Sequence, residues 1–373
     1  MDFASTELQQ SVRAAVEKIC ARFDDDYWLK RDSDGEFPEE FYRAIAHGGW
    51  LGICIPQEFG GSGLGVSEAA VMMHTITSSG AGLSGASAVH MNIFGLNPVV
   101  VYGSEEQRRR MLPPIVAGEE KACFAVTEAD AGLETAKLKT TAKRHGDSYV
   151  VSGAKIWIST AQVADRMLIL ARTAPFGEGR RPTDGLSLFY TALDRRFVEV
   201  REIEKMGRKA VDSNALFIDG LEVPAADRIG EEGRGFEYIL HGLNPERVLV
   251  AAEAIGLGRA ALARATAYAK ERVVFGRPIG QNQAIQHPLA QCWMELEAAD
   301  LMVFKAAWLY DHGKSAGPAA NAAKYLGAEA GHKACQTAVM TLGGFGYAKE
   351  YHVERYFRES MIPRLAPVSR ELI

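Results

Sequence analysis

The chain has 373 residues and a net charge of −5, with 47% hydrophobic and 24% charged residues. These values are typical of a globular protein of about two or three domains and exclude a strongly basic nucleic-acid-binding protein. The chain has no apolar run near the roughly 20 residues of a membrane span, and its first residues lack the pattern of a signal peptide. Five scattered cysteines without a C-x-x-C pair predict neither a disulfide framework nor a metal site. We therefore expect a cytoplasmic enzyme.

The first third of the chain shows helical periodicity. Apolar residues recur at three- and four-residue steps from Leu8 to Phe23, which predicts an amphipathic helix. Thr6 and Gln9 fit a capping box at its start. Further helices are predicted at 38–47, 67–79 and 104–116, with a glycine-rich loop at 58–66.

The pattern changes to short strands after Cys123. His145-Gly146-Asp147 supplies a hairpin turn, and β-rich runs flank it. Strands are predicted within 142–158 and at 167–171, 186–190, 198–203 and 215–218. Several short strands separated by turn residues predict a compact β-barrel or β-sandwich. After Gly235 the pattern is helical again, with helices predicted at 245–271, 283–312 and 318–342.

A G-x-G-x-x-G string occurs at residues 80–85. A dinucleotide-binding turn needs a strand before this string, so that the pyrophosphate meets a helix N-terminus. The residues before Gly80 have a helical pattern instead. A tight loop between helices is therefore the favoured interpretation.

Two stretches at the junction of helices and strands indicate a ligand site. The first, residues 123–132, reads CFAVTEADAG, and the second, residues 155–160, reads KIWIST. Trp157 and Ser159 are two residues apart, which places them on one face of a strand. An indole beside a hydroxyl suits a flat hydrogen-bonding ligand such as a flavin, and a core tryptophan with a capping serine is the structural alternative.

Two later stretches suit a phosphate-bearing ligand. Residues 271–283 read ERVVFGRPIGQNQ, and the Arg272 guanidinium can bind a phosphate or complement the end of a helix. Gly343 and Gly344 open a turn where backbone can approach a ligand closely, because neither residue has a side chain.

Taken together and in this order, these stretches and residues 102–119 resemble the signatures of the acyl-CoA dehydrogenase family. The resemblance covers nearly the whole chain and implies an α+β fold of three domains. These are an N-terminal helical domain (1–120), a middle β-barrel or sandwich domain (121–231) and a C-terminal four-helix bundle (232–373). It implies FAD as cofactor and oxidation of an acyl-CoA to the trans-2-enoyl-CoA. It also implies an electron-transfer flavoprotein as acceptor and a homo-oligomer, a tetramer or a dimer.

The resemblance assigns cofactor binding to two groups of residues. Those expected at the flavin, with Thr127 at its pyrimidine edge and Ser159 near N5, are Phe124, Val126, Thr127, Trp157, Ile158, Ser159, Ser369 and Glu371. Those expected to reach the pyrophosphate, adenosine and adenine from a neighbouring subunit are Arg272, Phe275, Asn282, Gln283, Met340, Gly343 and Gly344.

The reaction needs a carboxylate base to remove the proton α to the thioester. Many family members carry this glutamate in a C-terminal E-G-T, but Pro367 stands at its position here. Isovaleryl-type and long-chain-type members carry it on a helix immediately before an arginine, which matches Glu246 and Arg247. Glu246 is thus the expected base, and Arg247 orients it or contacts the CoA arm. A glutamate placed by the dipole at a helix N-terminus, with Pro245 in the first turn, is the alternative, and Glu371 is a lesser candidate for the base.

Gly132, Leu133 and Pro367 complete the residues expected at the substrate. Leu133 replaces the usual serine, and Pro367 lacks the backbone N–H that holds the thioester carbonyl in the family. Family members usually continue into a further helical stretch beyond the segment matching 367–373. A flavin-dependent monooxygenase on the same scaffold, or a non-catalytic protein that binds FAD or acyl-CoA, are the alternative functions.

Overall fold

The computed structural model describes residues 4–177 and 181–373 and places helices at both ends of the chain with a β-sheet between them. The helices before the sheet are α1 (Glu7–Cys20), α2 (Asp25–Asp34), α3 (Glu39–His47), α4 (Val66–Ile76), α5 (Gly82–Phe94), α6 (Asn97–Tyr102) and α7 (Glu105–Val116). Those after it are α8 (Gly235–Glu271), α9 (Gln283–Asp311), α10 (Gly317–Leu342), α11 (Val353–Glu359) and α12 (Ile362–Leu365). A π-helical turn covers Thr77–Ala81, and 3₁₀ turns cover Trp50–Gly52, Gln57–Phe59, Thr135–Lys137, Ala225–Asp227, Ile279–Gln281, Gly343–Tyr347 and Lys349–Tyr351.

Capping boxes with a threonine or serine at the N-cap start α1 and α7. In the predicted capping box of α1, the Gln9 N–H donates to Thr6 Oγ1 over 3.1 Å, and the Thr6 N–H donates to Gln9 Oε1 over 3.2 Å. Ser104 and Gln107 form the same reciprocal pair at the start of α7. Each box satisfies backbone donors that the first turn of a helix leaves free.

The middle of the chain forms one mostly antiparallel sheet. Its strands are β1 (Ala122–Ala125), β2 (Thr141–His145), β3 (Ser148–Ser159), β4 (Arg166–Arg172), β5 (Leu186–Ala192), β6 (Val198–Glu202), β7 (Ser213–Pro224) and β8 (Arg228–Ile229). Their order is β6-β7-β3-β2-β4-β5-β8, with β1 parallel to β4. The end strands β6 and β8 do not pair with each other within the described residues, so the sheet is open and the barrel prediction is wrong. A separate hairpin joins β9 (Val273–Val274) and β10 (Arg277–Pro278).

Helix α8 organises the rest of the molecule. It packs on α4, α9 and α10, and a single apolar core joins these helices to α1 and α3. It runs antiparallel to α5 and α6, because His90 meets Glu253 while Tyr102, later in the chain, meets the earlier Tyr238. The cavity described below lies between α5, α8 and the sheet.

Helix α8 begins at Gly235, well before the predicted start at Pro245. Pro245 lies in the helix interior, where it removes one N–H from the helical ladder. Glu246 is therefore a mid-helix residue, and its placement by a helix N-terminus is wrong.

The G-x-G-x-x-G string follows a helix and not a strand, and it forms a kinked junction between the π-helical turn and α5 in place of the predicted loop. Gly80 adopts a φ of 105°, a conformation that favours glycine. Arg355 donates to the Gly80 carbonyl over 2.6 Å, and Glu359 accepts from the Leu83 N–H over 2.7 Å and the Ser84 hydroxyl over 2.8 Å. The negative charge that is favourable at the N-terminus of α5 is therefore supplied by the Glu359 side chain.

None of the helices in the described residues is long and apolar enough to cross a membrane.

Candidate active site

A cavity of about 410 Å³ lies where α5, α8, the sheet and residues 362–368 meet. It brings together residues that are far apart in the sequence. The predicted site residues that line it are Phe124, Val126, Thr127, Gly132, Leu133, Trp157, Ser159, Glu246, Arg247 and Pro367.

Glu246 is the carboxylate at the centre of this cavity. Its side chain is buried, with the residue 9% exposed, and its Oε2 atom has no hydrogen-bond partner. Burial raises the pKa of Glu246 to about 7, although the nearby charges of His90 and Arg247 oppose that rise. A carboxylate with this pKa and a free oxygen can accept a proton at neutral pH.

Charged side chains surround Glu246. His90 Nδ1 lies 2.5 Å from Glu253 Oε1, and both residues line the cavity. Lys324 of α10 is fully buried and donates to the Val368 carbonyl, which fixes the segment after α12 against the helix bundle. Arg247 donates to Asn244 Oδ1 over 3.1 Å, while its Nε has no partner.

Trp157 and Ser159 both face the cavity, as their spacing predicts. The pairing of β3 with β7 is irregular between Lys155 and Ile158, and Trp157 has a φ of 62°. This irregularity leaves the Trp157 indole 57% exposed at the cavity. The side chain of Ile158 points the other way into the core of the sheet, with the residue 1% exposed, so the structure does not place it at the predicted cofactor site.

Glu128 fixes the loop that carries Thr127. Its carboxylate accepts from the Lys139 and Thr140 N–H groups, from the Thr140 hydroxyl over 2.6 Å and from Lys155 Nζ over 2.9 Å. Burial alone would raise the pKa of Glu128, but Lys155 and these donors hold it below the ordinary value. The Thr127 hydroxyl has no partner among the described residues and remains available to a ligand.

Arg208 is a cavity residue that the sequence analysis did not identify. It lies in the loop between β6 and β7 with a φ of 54° and donates to three hydroxyls. Nη1 contacts Ser87 Oγ at 3.2 Å, and Nη2 contacts Ser159 Oγ at 2.9 Å and Ser213 Oγ at 3.0 Å. Its Nε atom is buried without a partner.

A second cavity of about 610 Å³ contains Arg272, Gly343 and Gly344 and shares no lining residue with the first. The Arg272 guanidinium lies 5.7 Å from the centre of the Phe345 ring. Gly343 has a φ of 61°, and a Cβ atom on either glycine would meet nothing within 4 Å. Within one chain, the predicted cofactor residues that line a cavity are therefore divided between two cavities.

The remaining predicted residues line neither cavity. Phe275 is fully exposed beside the second cavity, and Met340 is exposed on α10. Asn282 Oδ1 accepts a hydrogen bond from Arg277 of the hairpin. Gln283 is the exposed first residue of α9. Ser369 and Glu371 lie in the C-terminal segment. Glu371 is exposed and pairs with Arg370 at 2.9 Å, so the structure does not place this lesser candidate for the base in the cavity.

The residues present fit a flavin. Trp157 offers an exposed aromatic side chain, and Thr127, which follows β1, and Ser159, at the end of β3, line the same cavity. The second cavity offers a cation beside a turn of glycines without side chains, which suits a phosphate-bearing group.

The sequence patterns do not indicate five residues at or near the cavity: His90, Glu253, Ser87, Arg208 and Lys324. A histidine or lysine inside a helical pattern carries no signal of its own, and these partners are distant in sequence. The helical spacing of Ser87 with His90, and of Glu246 with Glu253, is the one pattern that indicates shared faces.

Comparison with known proteins identifies the family. Three family models match the chain: the acyl-CoA dehydrogenase N-terminal domain at residues 6–119, the middle domain at 123–221 and the C-terminal domain at 233–366. The acyl-CoA dehydrogenase FadE12 of Mycobacterium bovis is 36% identical over 100% of this chain and 95% of that protein.

Two further relatives are similar over most of their length. The caffeyl-CoA reductase–Etf complex subunit CarC of Acetobacterium woodii is 34% identical over 97% of this chain and 90% of that protein. The structure of butyryl-CoA dehydrogenase from Megasphaera elsdenii superposes with a TM-score of 0.94 at 28% identity, covering 100% of this chain and 97% of the other. The chain therefore belongs to the acyl-CoA dehydrogenase family of FAD-binding oxidoreductases.

Proposed function

We propose that the protein oxidises the Cα–Cβ bond of an acyl-CoA thioester to the trans-2-enoyl-CoA, with Glu246 as the base. The observation that carries this proposal is the free Oε2 of Glu246 in a cavity that also exposes Trp157. Glu253, the other carboxylate among the described residues that line this cavity, is paired with His90 through its Oε1 atom.

In this proposal Glu246 accepts the proton from the carbon α to the thioester. Its pKa of about 7 leaves much of it ionised at neutral pH while keeping it more basic than an exposed carboxylate. The buried setting excludes water that would otherwise hydrate the carboxylate.

The FAD ring would be held by Trp157, Thr127 and Ser159, with Phe124 and Val126 behind it. When bound, FAD supplies N5 as the acceptor of the β-hydride. Thr127 and Ser159 orient the ring through their hydroxyls, and Glu128 holds Thr127 in place through four donors.

The thioester end would lie near the segment Ala366–Val368. All three residues of this segment line the cavity, and Pro367 supplies no N–H. Arg247 also lines this region, and its buried Nε is free. We propose that Arg247 binds the thioester arm in place of the missing backbone donor, with Gly132 and Leu133 bordering the substrate on the other side.

We further propose that the protein is a homo-oligomer whose cofactor sites are shared between subunits. In support, Arg272, Gly343 and Gly344 of one predicted FAD group line one cavity, while members of the other group line a second cavity with no lining residue in common. Exposed apolar residues at this end of the molecule, such as Phe275 and Met340, support burial against another copy. An electron-transfer flavoprotein is the proposed acceptor, since the relative CarC is named as a subunit of an Etf complex.

We also propose 1–120, 121–231 and 232–373 as the limits of the three domains. The middle range contains every strand of the large sheet, from Ala122 to Ile229.

An anaerobic flavin-reduction screen tests the proposed reaction. The FAD-loaded protein is mixed with straight, branched and aryl acyl-CoAs, and the loss of flavin absorbance is followed. We expect at least one thioester to bleach the flavin and the matching free acid to leave it oxidised. If every class of thioester binds and none reduces the flavin, dehydrogenation is not the function.

A further inference from the structure

The cavity has a polar end that the removal of a proton by Glu246 does not use. Going along α8 from Glu246, the cavity passes Val250 and reaches Glu253, about 10 Å farther along the helix axis. Helix α5 is antiparallel to α8 and His90 contacts Glu253, so Ser87, which precedes His90, lies farther from Glu246 than this contact does. Leu83, one turn before Ser87, packs with Leu257 in a shared core cluster, which confirms this direction.

Arg208 closes this end of the cavity. Its guanidinium donates to the hydroxyls of Ser87, Ser159 and Ser213, which are neutral partners. Among the described residues it has no carboxylate within ion-pair distance, and its Nε is buried without a partner. A cation removed from water is normally paired, so this arrangement leaves a positive charge in need of an acceptor.

The nearby carboxylates are engaged elsewhere. Glu253 is held by His90, and Glu359 is held by the start of α5. Asp212 accepts from the Gln162 N–H and from Asn214. These acids lie close enough to offset part of the charge of Arg208, but they do not contact its guanidinium.

The end of the cavity beyond Glu246 is therefore unsuited to a saturated alkyl tail. An alkyl tail reaching this point would cover Arg208, Ser87 and the pair of His90 with Glu253 without giving any of them a hydrogen bond. Covering polar groups in this way is costly. A tail that ends in a carboxylate gives the guanidinium the acceptor that it lacks.

We propose that Arg208 and Ser87 form a subsite for an oxygen acceptor, a carboxylate above all, at the far end of the acyl group. The substrate class is then the mono-CoA thioesters of dicarboxylic acids. This inference depends on the proposed function, because it assumes that the thioester lies beside Glu246. Arg208 is a specificity residue in this proposal and takes no part in proton removal.

Binding measurements test the subsite separately from turnover. The FAD-loaded Glu246→Gln protein is titrated by calorimetry with pairs of thioesters of equal chain length: glutaryl-CoA with pentanoyl-CoA, and adipyl-CoA with hexanoyl-CoA. We expect the carboxylate member of at least one pair to bind about 10-fold or more tightly. Tighter binding of the methyl-ended member in both pairs would overturn the proposal.

Two further variants locate the effect. Adding Arg208→Met is expected to remove the preference for the carboxylate and to leave the methyl-ended partner bound as before or more tightly. Adding Lys209→Met, which removes a neighbouring charge in the same loop, is expected to keep the preference. Equal weakening of both members of a pair by Arg208→Met would show that Arg208 supports the fold or the flavin, not the acyl group.

Arg208→Lys is a control for the case in which Arg208→Met misfolds, because lysine retains a positive charge that can bind a carboxylate. We expect it to restore part of the preference, with FAD content equal to that of the parent. If Arg208→Lys retains FAD but shows no more preference for the carboxylate than Arg208→Met does, the subsite proposal is wrong. If the thioesters show the expected preference but never bleach wild-type flavin, the subsite stands and the dehydrogenation proposal fails.

Discussion

His90 Nδ1 and Glu253 Oε1 are 2.5 Å apart on the wall of the cavity that contains Glu246. Burial alone would lower the pKa of His90, but its pairing with Glu253 and the nearby Glu246 leave that pKa above its ordinary value. A protonated His90 satisfies Glu253 and lowers the pKa of Glu246. The cavity therefore contains one paired carboxylate and one that is free.

Replacing Glu246 by glutamine should abolish flavin reduction by acyl-CoA without unfolding the protein. The amide has a similar shape but accepts no proton, and losing a general base typically costs about 10²- to 10⁴-fold in rate. Rapid-mixing absorbance under anaerobic conditions measures this loss, and FAD content serves as the control. A variant that bleaches at the wild-type rate excludes Glu246 as the base.

The same substitution should change how stability depends on pH. The pKa of Glu246 rises from 4.5 to about 7 on folding, so between these values the folded protein holds a proton that the unfolded chain releases. Its contribution to the free energy of unfolding therefore falls as pH rises through this range, by about 3 kcal/mol in total. Denaturant unfolding of wild type and Glu246→Gln at pH 5 and pH 8 measures the difference. The glutamine variant should gain relative to wild type at pH 8, and an equal difference at both pH values would contradict the buried acid.

Replacing His90 by glutamine should move the pH profile of flavin reduction upward. The rate rises as Glu246 loses its proton, and removing the charge of His90 raises the pKa of Glu246. The midpoint should therefore move above the value of about 7 expected for wild type. His241→Gln is the matched control, because His241 bonds to Asn97 and does not line the cavity. A midpoint that falls, or that moves equally in the control, counts against this electrostatic role.

Glu128→Gln should destabilise the fold and weaken FAD retention together. The change removes the charge that Lys155 contacts in a fully buried setting, and breaking such a pair typically costs about 3 to 5 kcal/mol. Chemical unfolding and FAD release measure the two effects. Asp130→Asn is the control, because Asp130 lies in the same loop but forms an exposed pair with Lys139, so its effect should be much smaller. If the two variants have equal effects, the proposal that Glu128 positions Thr127 is wrong.

Mixed oligomers test whether cofactor sites are shared between subunits. Trp157→Ala and Arg272→Ala each damage one of the two separate cavities, so each variant alone should retain little FAD. In a hybrid of the two, one shared site carries both changes and the other carries neither. We expect FAD to be recovered after co-expression. No recovery in hybrids that demonstrably form would show that each chain binds FAD by itself.

The sequence predicts those parts of the fold that depend on neighbouring residues. The capping box of Thr6 with Gln9 and the hairpin at residues 145–147 are local, and both are observed. The start of α8 was predicted wrongly because proline is common in a first helical turn, whereas Pro245 is kept here by the packing of a long helix against the core. Long-range packing outweighed a local preference at this point.

The candidate site was predictable only where a short stretch carries several of its residues. Residues 123–132 and 155–160 supply the proposed flavin wall together, and both stretches reach the cavity. Arg208 gave no signal, because its role depends on Ser87 and Ser159, which lie on other elements. Trp157 and Ile158 point in different directions at an irregularity in the pairing of β3 with β7. The sequence of β3 alone does not predict this irregularity.

The junction at residues 80–85 connects α5 with α11 near the end of the chain through hydrogen bonds. Glu359 and Arg355, both on α11, hold the helix ends on either side of this junction, and α5 carries Ser87 and His90 into the cavity. A shift of α11 should therefore displace α5, which lines the cavity. Replacing Glu359 by alanine should loosen substrate selection even though Glu359 itself does not line the cavity.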